Sequence, residues 1–164
     1  MRVRVEPLDA PSVAALAWLE EAARWAWPVS EPRDRLARWM ERWPRAGWWA
    51  ISRDGETCGV VATAAVDGLL WFPAAFVRSD VRGYGLGGEA IVELEERLGH
   101  DAGAAGFRTA LPVDAGFAVY FWLRMGYRPE PARGRGLLVM TRAAAGAVVA
   151  RSDGEQRAAQ SPVG

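Results

Sequence analysis

The segment Arg82-Gly83-Tyr84-Gly85-Leu86-Gly87-Gly88 is the most informative stretch of this sequence. An apolar run over 69–77 precedes it and an amphipathic run over 89–98 follows it. Glycines at this density let a backbone approach a ligand closely and turn its N–H groups toward one point. At the start of a helix, such donors suit a phosphate or a diphosphate. A glycine-rich turn that merely connects a strand to a helix is the alternative, and the glycines alone do not decide between the two.

Length and composition predict one globular domain in a reducing compartment. The chain has 164 residues, of which 51% are hydrophobic and 24% are charged, which is enough for one core. Its net charge of +0 argues against binding to nucleic acid or to an anionic membrane. Cys58 is the single cysteine and forms no internal disulfide, as is typical of cytoplasmic proteins. No run reaches the roughly 18 apolar residues of a membrane span, and no signal-peptide core follows Met1.

Hydrophobic periodicity and turn residues predict the element order β-α-α-β-β-β-α-β-α-β. Strands are predicted at 2–6, 48–52, 58–66, 69–77, 107–112 and 137–141, with one further strand at 127–131. Helices are predicted from Asp9 to about Trp25, after Ser30 and Pro32, over 89–98 with Gly99 as the end, and over 115–125. From residue 143 onward the side chains are small and polar, which predicts a disordered tail.

Two other nucleotide-binding motifs compete for the glycine segment. Gly83-x-Gly85-x-x-Gly88 fits the dinucleotide fingerprint, but that motif belongs to the first βαβ unit of a parallel sheet. Here three antiparallel strands joined by tight turns come first. A nucleoside-triphosphate P-loop needs a lysine after its glycines, and the chain contains none. The element order therefore disfavours the first motif, and the composition excludes the second.

The sequence resembles the GNAT superfamily of N-acyltransferases. Arg82, Gly85 and Gly87 supply that superfamily's acyl-CoA signature, Arg/Gln-x-x-Gly-x-Gly/Ala. A second match runs from Ala118 to Gly126 and Tyr127, and it resembles the C-terminal helix of the family with its Gly-Phe ending. The hairpin turn at 54–59 and the element order also agree, so the resemblance covers roughly residues 1–142.

The resemblance implies an α/β fold of the α+β type. Its sheet would be mixed and mostly antiparallel, with six to seven strands, about four flanking helices and a splay between the fourth and fifth strands. One acyltransferase domain would span residues 1–142, followed by the tail at 143–164. The implied cofactor is acetyl-CoA, and no metal site is predicted.

The resemblance also implies where CoA binds. Backbone N–H groups from Gly83 to Gly88 would hold the diphosphate at the N-terminus of the following helix. The strand ending at Val77 would part from the strand at 107–112 and bind the pantetheine arm as an added strand. The residues expected to bind the cofactor are Phe76, Val77, Arg82, Gly83, Tyr84, Gly85, Leu86, Gly87, Gly88, Ala118 and Trp122.

The implied catalytic residues depart from the family's pattern. The N–H of Val77 would polarise the thioester carbonyl, as in an oxyanion hole. Where the family often has a tyrosine that protonates the thiolate, this chain has Trp122, whose indole cannot deliver a proton at neutral pH. Tyr120 lies two residues earlier, about 200° round a helix. Three alternatives stay open: a distortion repositions Tyr120, another group or water supplies the proton, or the chain binds CoA without efficient turnover. No acidic residue lies between Leu69 and Arg78, where some members keep a general base.

Tryptophans are concentrated in the first third of the chain, which in this family usually shapes the acceptor pocket. Trp39 and Trp43 lie on one helix stripe and are interpreted as core. Trp25 and Trp27, beside Pro28, are the candidates for a substrate-binding wall, which would favour an apolar, aromatic or cationic acceptor. An exposed tryptophan patch that forms a homodimer is the third interpretation.

The sequence thus predicts a cytoplasmic N-acetyltransferase. It would move an acetyl group from acetyl-CoA directly to a primary amine of a small molecule or peptide. The competing hypothesis is an acyl-CoA-binding sensor or interaction module that has lost turnover. Release of the CoA thiol in the presence of amines separates the two hypotheses.

Overall fold

The computed structural model describes residues 3–26, 43–131 and 136–145, which build one mixed seven-stranded sheet with helices on both faces. The strands are β1 (Arg4–Leu8), β2 (Gly47–Arg53), β3 (Glu56–Val66), β4 (Leu69–Val77), β5 (Gly106–Pro112), β6 (Arg128–Pro129) and β7 (Leu137–Ala143). The helices are α1 (Ala10–Ala14), α2 (Leu19–Ala26), α3 (Leu86–Asp101) and α4 (Gly116–Arg124), with a 3-10 turn at Ser79–Val81. The predicted fold class is thereby confirmed.

The strands lie in the order β1-β2-β3-β4-β5-β7-β6, and β4 with β5 forms the parallel pair. Two-residue turns join β2 to β3 and β3 to β4, and Asp54-Gly55 and Asp67-Gly68 both adopt positive φ there. Positive φ at both central residues is the geometry of a type I′ hairpin turn, which Asp-Gly favours. These turns produce the antiparallel meander that the sequence predicts ahead of the glycine segment.

The predicted splay between β4 and β5 is present. The two strands pair where Leu69–Trp71 lies beside Gly106–Arg108, and they diverge beyond that point. At the divergence the hydroxyl of Thr109 donates to the carbonyl of Phe72 at 2.8 Å, which satisfies a buried acceptor beside the gap. On the other edge of β4 the register against β3 shifts, so that Phe72 and Pro73 oppose one residue. This is a β-bulge, a position that tolerates proline.

Two clusters of buried side chains fill the faces of the sheet. One cluster lies on the face covered by α3 and α4 and contains Phe72, Ile91 and Tyr127. The other lies on the face covered by α1 and α2 and contains Val13 and Leu19. The splay between β4 and β5 therefore lies between these two packed clusters, and α4 lies beside it.

The predicted helix from Asp9 to Trp25 is wrong in one respect, because it is two helices. Asp9 caps α1 as expected, accepting the N–H of Ser12 at 2.7 Å. Val13 and Leu19 are both buried beneath these helices, yet a continuous helix would place them about 120° apart around its axis, at 100° per residue. The break between α1 and α2 lets both side chains reach the sheet.

Other boundaries also differ from the prediction. Gly99 does not end α3, which continues to Asp101; a Cβ at Gly99 would lie 2.9 Å from Phe107 Cε1, so this glycine permits close packing. The final strand extends to Ala143, a residue predicted to belong to the tail, and the N–H of Ala144 donates to the carbonyl of Ala105 at 3.2 Å. The predicted strand at 127–131 is reduced to β6. The helix predicted after Ser30 and Pro32, with Trp39, lies outside the described residues.

Candidate functional site

The glycine segment forms the turn that leads into α3. Gly83 and Gly85 have φ of 87° and 83°, a region that residues with a side chain rarely adopt, and Gly85 is the N-cap of α3. A Cβ at Gly83 would meet no atom within 4 Å, and one at Gly85 would meet Glu89 Oε1 at 3.9 Å. Open space therefore adjoins the loop. The first N–H groups of a helix have no partner within it, so this space is bordered by donors suited to an anion.

The end of β4 presents backbone groups to the splay. The N–H of Arg78 donates to the carbonyl of Cys58 on β3 at 2.8 Å. Since hydrogen-bonded and non-hydrogen-bonded pairs alternate in an antiparallel ladder, the backbone groups of Ala75 and Val77 face away from β3 and toward the gap. Nε of Arg82 donates to the carbonyl of Val77 at 2.8 Å. This bond ties the start of the glycine loop to the end of β4.

A cavity of about 470 Å³ lies between the end of β4, the glycine loop and α4. Its lining residues are Ala22, Ala75, Phe76, Val77, Val81, Arg82, Gly83, Gly85, Leu86, Gly87, Gly88, Phe117, Ala118, Tyr120, Phe121, Trp122, Arg124 and Met125. The structure thus brings together ten of the eleven residues expected to bind the cofactor. Tyr84 is the exception: its side chain is 69% exposed, and the guanidinium of Arg53 lies 5.7 Å from its ring centroid.

The two walls of the cavity meet at the second half of the glycine segment. A Cβ at Gly87 would lie 3.4 Å from Val77 Cγ2 and 3.6 Å from Phe121 Cε2, and a Cβ at Gly88 would lie 3.3 Å from Met125 Sδ. A larger side chain at either glycine would push α4 away from the loop. Phe121 and Met125 were not predicted from the sequence, although they stand three and seven residues after Ala118 and therefore share its helix face.

Two arginines, Arg82 and Arg124, are among the lining residues, and no described acidic side chain is. Burial lowers the pKa of the Arg82 guanidinium, and the carboxylate of Glu21 on α2 opposes this lowering. An arginine stays protonated at neutral pH despite such shifts. The cavity therefore combines fixed positive charge with helix N-terminal donors, an arrangement that suits a phosphorylated ligand.

The predicted catalytic side chains of α4 lie in different surroundings. Trp122 is 5% exposed, and its ring centroid lies 4.7 Å from that of Tyr127 and 6.0 Å from that of Phe72. Tyr120 is 60% exposed on the outer edge of the same cavity. The indole thus fills the inner wall as a packed aromatic, while the phenol is accessible to water at the rim. Val77, at the end of β4, lines the same cavity as Tyr120 and Trp122.

A buried polar network that the sequence did not predict lies behind Trp122. Glu95 on α3 is 4% exposed, and its Oε1 accepts the hydroxyl of Tyr127 at 2.6 Å. Arg142 on β7 forms an ion pair with the other oxygen of Glu95 and donates to the carbonyl of Met125 at 2.9 Å. Burial raises the pKa of the Glu95 carboxyl, and the Tyr127 hydrogen bond and the Arg142 charge oppose that rise. The network joins α3, the end of α4 and β7 beside the cavity wall.

The predicted acceptor wall is only partly described. Trp25 lies in the last turn of α2, but its side chain is outside the described part of the chain, as is all of Trp27. One turn earlier on the same helix, Ala22 lines the cavity. Trp43, interpreted from the sequence as core, is partly buried with its ring centroid 5.7 Å from that of Trp71.

Comparison with known proteins places these features in a family. The Acetyltransferase (GNAT) family matches residues 13–127, well over half of the chain. The chain belongs to the GNAT acetyltransferase family. The match includes the end of β4, the glycine loop and α4, all of which line the cavity. No curated protein sequence matches the chain.

Solved GNAT structures share the fold at low sequence identity. The PaiA N-acetyltransferase of Thermoplasma acidophilum, in complex with coenzyme A, is 11% identical with a TM-score of 0.71, covering 87% of this chain and 99% of that one. The ribosomal-protein-S18-alanine N-acetyltransferase of Escherichia coli is 16% identical with a TM-score of 0.66, covering 87% and 94%. A GNAT acetyltransferase of Elizabethkingia anophelis with acetyl-CoA bound is 11% identical with a TM-score of 0.62, covering 86% and 97%. These likenesses support the GNAT fold. Among the described residues, no helix is long and apolar enough to cross a membrane.

Proposed function

We propose that this chain transfers an acetyl group from acetyl-CoA to a primary amine of a small molecule or peptide, in the cytoplasm. The observation that carries the proposal is the cavity itself, which joins a helix N-terminus of glycines to the backbone of a splayed strand. A diphosphate needs the first feature and an amide-bearing arm needs the second. CoA carries both groups on one molecule.

The residues present fit this cofactor. The N–H groups of Gly83 to Gly88 would hold the diphosphate, and the open space beside Gly83 and Gly85 leaves room for it. The backbone of Ala75 and Val77 would pair with the amides of the pantetheine arm. When bound, acetyl-CoA supplies an activated acetyl thioester. The N–H of Val77 would polarise its carbonyl, and the bond from Arg82 to the carbonyl of Val77 would hold the adjacent peptide and so fix the end of β4.

Proton delivery to the sulfur is assigned to Tyr120. Among the cavity-lining residues that the structure describes, Tyr120 alone carries an ionisable hydroxyl. Trp122 is excluded as an acid because an indole does not release its proton at neutral pH. We therefore expect Tyr120→Phe to lower kcat at least tenfold with little change in CoA affinity, since general acids contribute about 10²- to 10⁴-fold.

Trp122→Phe serves as the matched control, because it removes an indole from the packed inner wall and leaves Tyr120 in place. It is expected to lower the free energy of unfolding and to reduce kcat less than Tyr120→Phe does. Full kcat in Tyr120→Phe would assign the proton to water in the cavity instead.

The acceptor is proposed to enter beside α2. Ala22 already lines the cavity, and Trp25 and Trp27 follow on the same segment. An aromatic wall there would favour an apolar, aromatic or cationic amine. The peptide alternative draws support from the S18-alanine enzyme of the same fold, whose name specifies a protein acceptor.

The direct test measures thiol release from acetyl-CoA over a panel of primary amines, with acylated product identified by mass. The proposal expects amine-dependent thiol release. Tight CoA binding without thiol release would favour the second candidate, an acyl-CoA-binding sensor. The observation that favours this second candidate is that the buried Trp122 stands where the family often has a tyrosine.

A further inference from the structure

The outer edge of α4 carries aromatic side chains that are exposed rather than packed in the core. Phe117, Tyr120 and Arg124 recur at i, i+3 and i+7 and so share one helix edge, and all three line the cavity. The side chain of Phe117 is 72% exposed and that of Tyr120 is 60% exposed. The parallel inner row, which includes Phe121 and Met125, packs against the core. Exposed apolar side chains beside a cavity mark a surface that meets a ligand.

Arg124 differs from several other arginines of the fold. Within residues 3–26, 43–131 and 136–145, Arg53, Arg78, Arg97, Arg108 and Arg142 each form an ion pair. In the same part of the chain Arg124 makes no ion pair, and its guanidinium lies 5.9 Å from the ring centroid of Tyr120. The contact with the ring orients the guanidinium without neutralising its charge.

The position of Arg124 relates it to the phosphate end of the cofactor. Its neighbour Met125 contacts the glycine segment, because a Cβ at Gly88 would lie 3.3 Å from Met125 Sδ. Arg124 is exposed and lines the same cavity as the loop that is proposed to hold the diphosphate, so it lies on the cavity rim. A planar guanidinium on this rim suits a further phosphate that projects from the same ligand.

We propose that Arg124 binds the 3′-phosphate of CoA and so makes the site selective for CoA over dephospho-CoA, with the ring of Tyr120 holding the guanidinium in position. The inference rests on the proposed function, since it assumes that CoA occupies this cavity. It assigns the glycine loop and Arg124 to different phosphates of one ligand. Selectivity for the 3′-phosphate is thus separable from binding of the diphosphate.

The test is calorimetric titration of the full chain with CoA and with dephospho-CoA, which lacks the 3′-phosphate alone. The unmodified protein is expected to prefer CoA by about 10- to 100-fold, as charge-assisted hydrogen bonds allow. Arg124→Gln is expected to remove most of this preference while its affinity for dephospho-CoA stays within about twofold. Arg4→Gln, the same change at an exposed position on the far edge strand, is the matched control and should keep the preference.

Variants of Tyr120 test the contact with the ring. Tyr120→Phe retains an aromatic face and should keep the preference, whereas Tyr120→Leu should reduce it by about two- to fivefold. An equal loss of affinity for both ligands in Arg124→Gln would overturn the proposal, because it would place Arg124 on the diphosphate. An unmodified protein that binds both ligands equally would overturn it too. Absence of binding to either ligand contradicts the proposed function itself.

Discussion

At the scale of single residues, the glycines of this chain have two distinct roles. Gly85 supplies a left-handed backbone that starts α3, with φ of 83°. Gly87 and Gly99 have ordinary φ, and each lets a neighbouring aromatic ring approach closely. Sequence alone revealed the density of glycines around Gly85 but not which role each one has, because close approach depends on rings from distant elements. This is why Gly99 was mistaken for a helix end.

The first prediction separates the ligand role of Gly85 from its conformational strain. Gly85→Ala should weaken CoA binding at least tenfold, because a side chain strains the backbone whose N–H groups face the diphosphate. Gly55→Ala is a close control, since Gly55 has the same φ of 83° in the β2–β3 turn and open space around it. Both changes should cost about 1 kcal/mol of stability. Titration calorimetry with CoA checks the difference, and equal affinities in the two variants would contradict this role for Gly85.

The second prediction concerns Thr109, where the splay begins. Thr109→Val keeps the shape of the side chain but removes the hydroxyl that reaches the buried carbonyl of Phe72. Leaving a buried acceptor without its donor should cost about 1–3 kcal/mol in the free energy of unfolding. Thr141→Val removes a longer, partly buried bond of 3.3 Å to Phe107 and should cost less. Urea denaturation measures the free energy of unfolding of both variants. A larger loss of stability in Thr141→Val than in Thr109→Val would refute the prediction.

At the scale of elements, local signals predicted the strands better than the helices. The bounds of β4 follow from sequence, because an apolar run is bounded by the Asp67-Gly68 turn before it and by a charged residue after it. The break between α1 and α2 has no such local signal, since it arises from the packing of Val13 and Leu19 on the sheet. Glu95 was equally hidden, because its partners come from elements that the chain reaches much later.

The third prediction follows from the Glu95 network that joins α3 to β7. Burial raises the pKa of Glu95 in the folded state above its ordinary 4.5, so the folded protein binds a proton there more tightly than the unfolded chain. That contribution to stability is fully present below about pH 4.5 and is lost as the pH rises through the folded pKa. The free energy of unfolding of the unmodified protein minus that of Glu95→Gln should therefore fall as the pH rises above 4.5.

Urea denaturation from pH 4.5 to 8 measures this difference. Glu6→Gln removes a carboxylate at an exposed position on β1 and is the control variant, measured over the same pH range. A difference for Glu95→Gln that grows with pH would show that the Arg142 charge outweighs burial at Glu95. In that case the carboxylate would be a stabilising anion rather than a desolvated one.

At the scale of the whole molecule, the sheet order creates the site. β5 pairs with β7 along its length and with β4 at one end only. A gap therefore lies between β4 and β5, and backbone groups line it. The helices α3 and α4 then enclose that gap from one face. The order of elements and the glycine loop were predictable from sequence and carried the family assignment. The contacts of Phe121 and Met125 with the glycine loop were not, since they depend on how α4 crosses the loop.

The most direct test of this account is a crystal structure of the chain with CoA. The diphosphate should lie on the N–H groups of Gly83 to Gly88, and the pantetheine arm should run along Ala75 and Val77 within the splay. CoA bound at another surface, or a diphosphate held without contact to these N–H groups, would contradict the account.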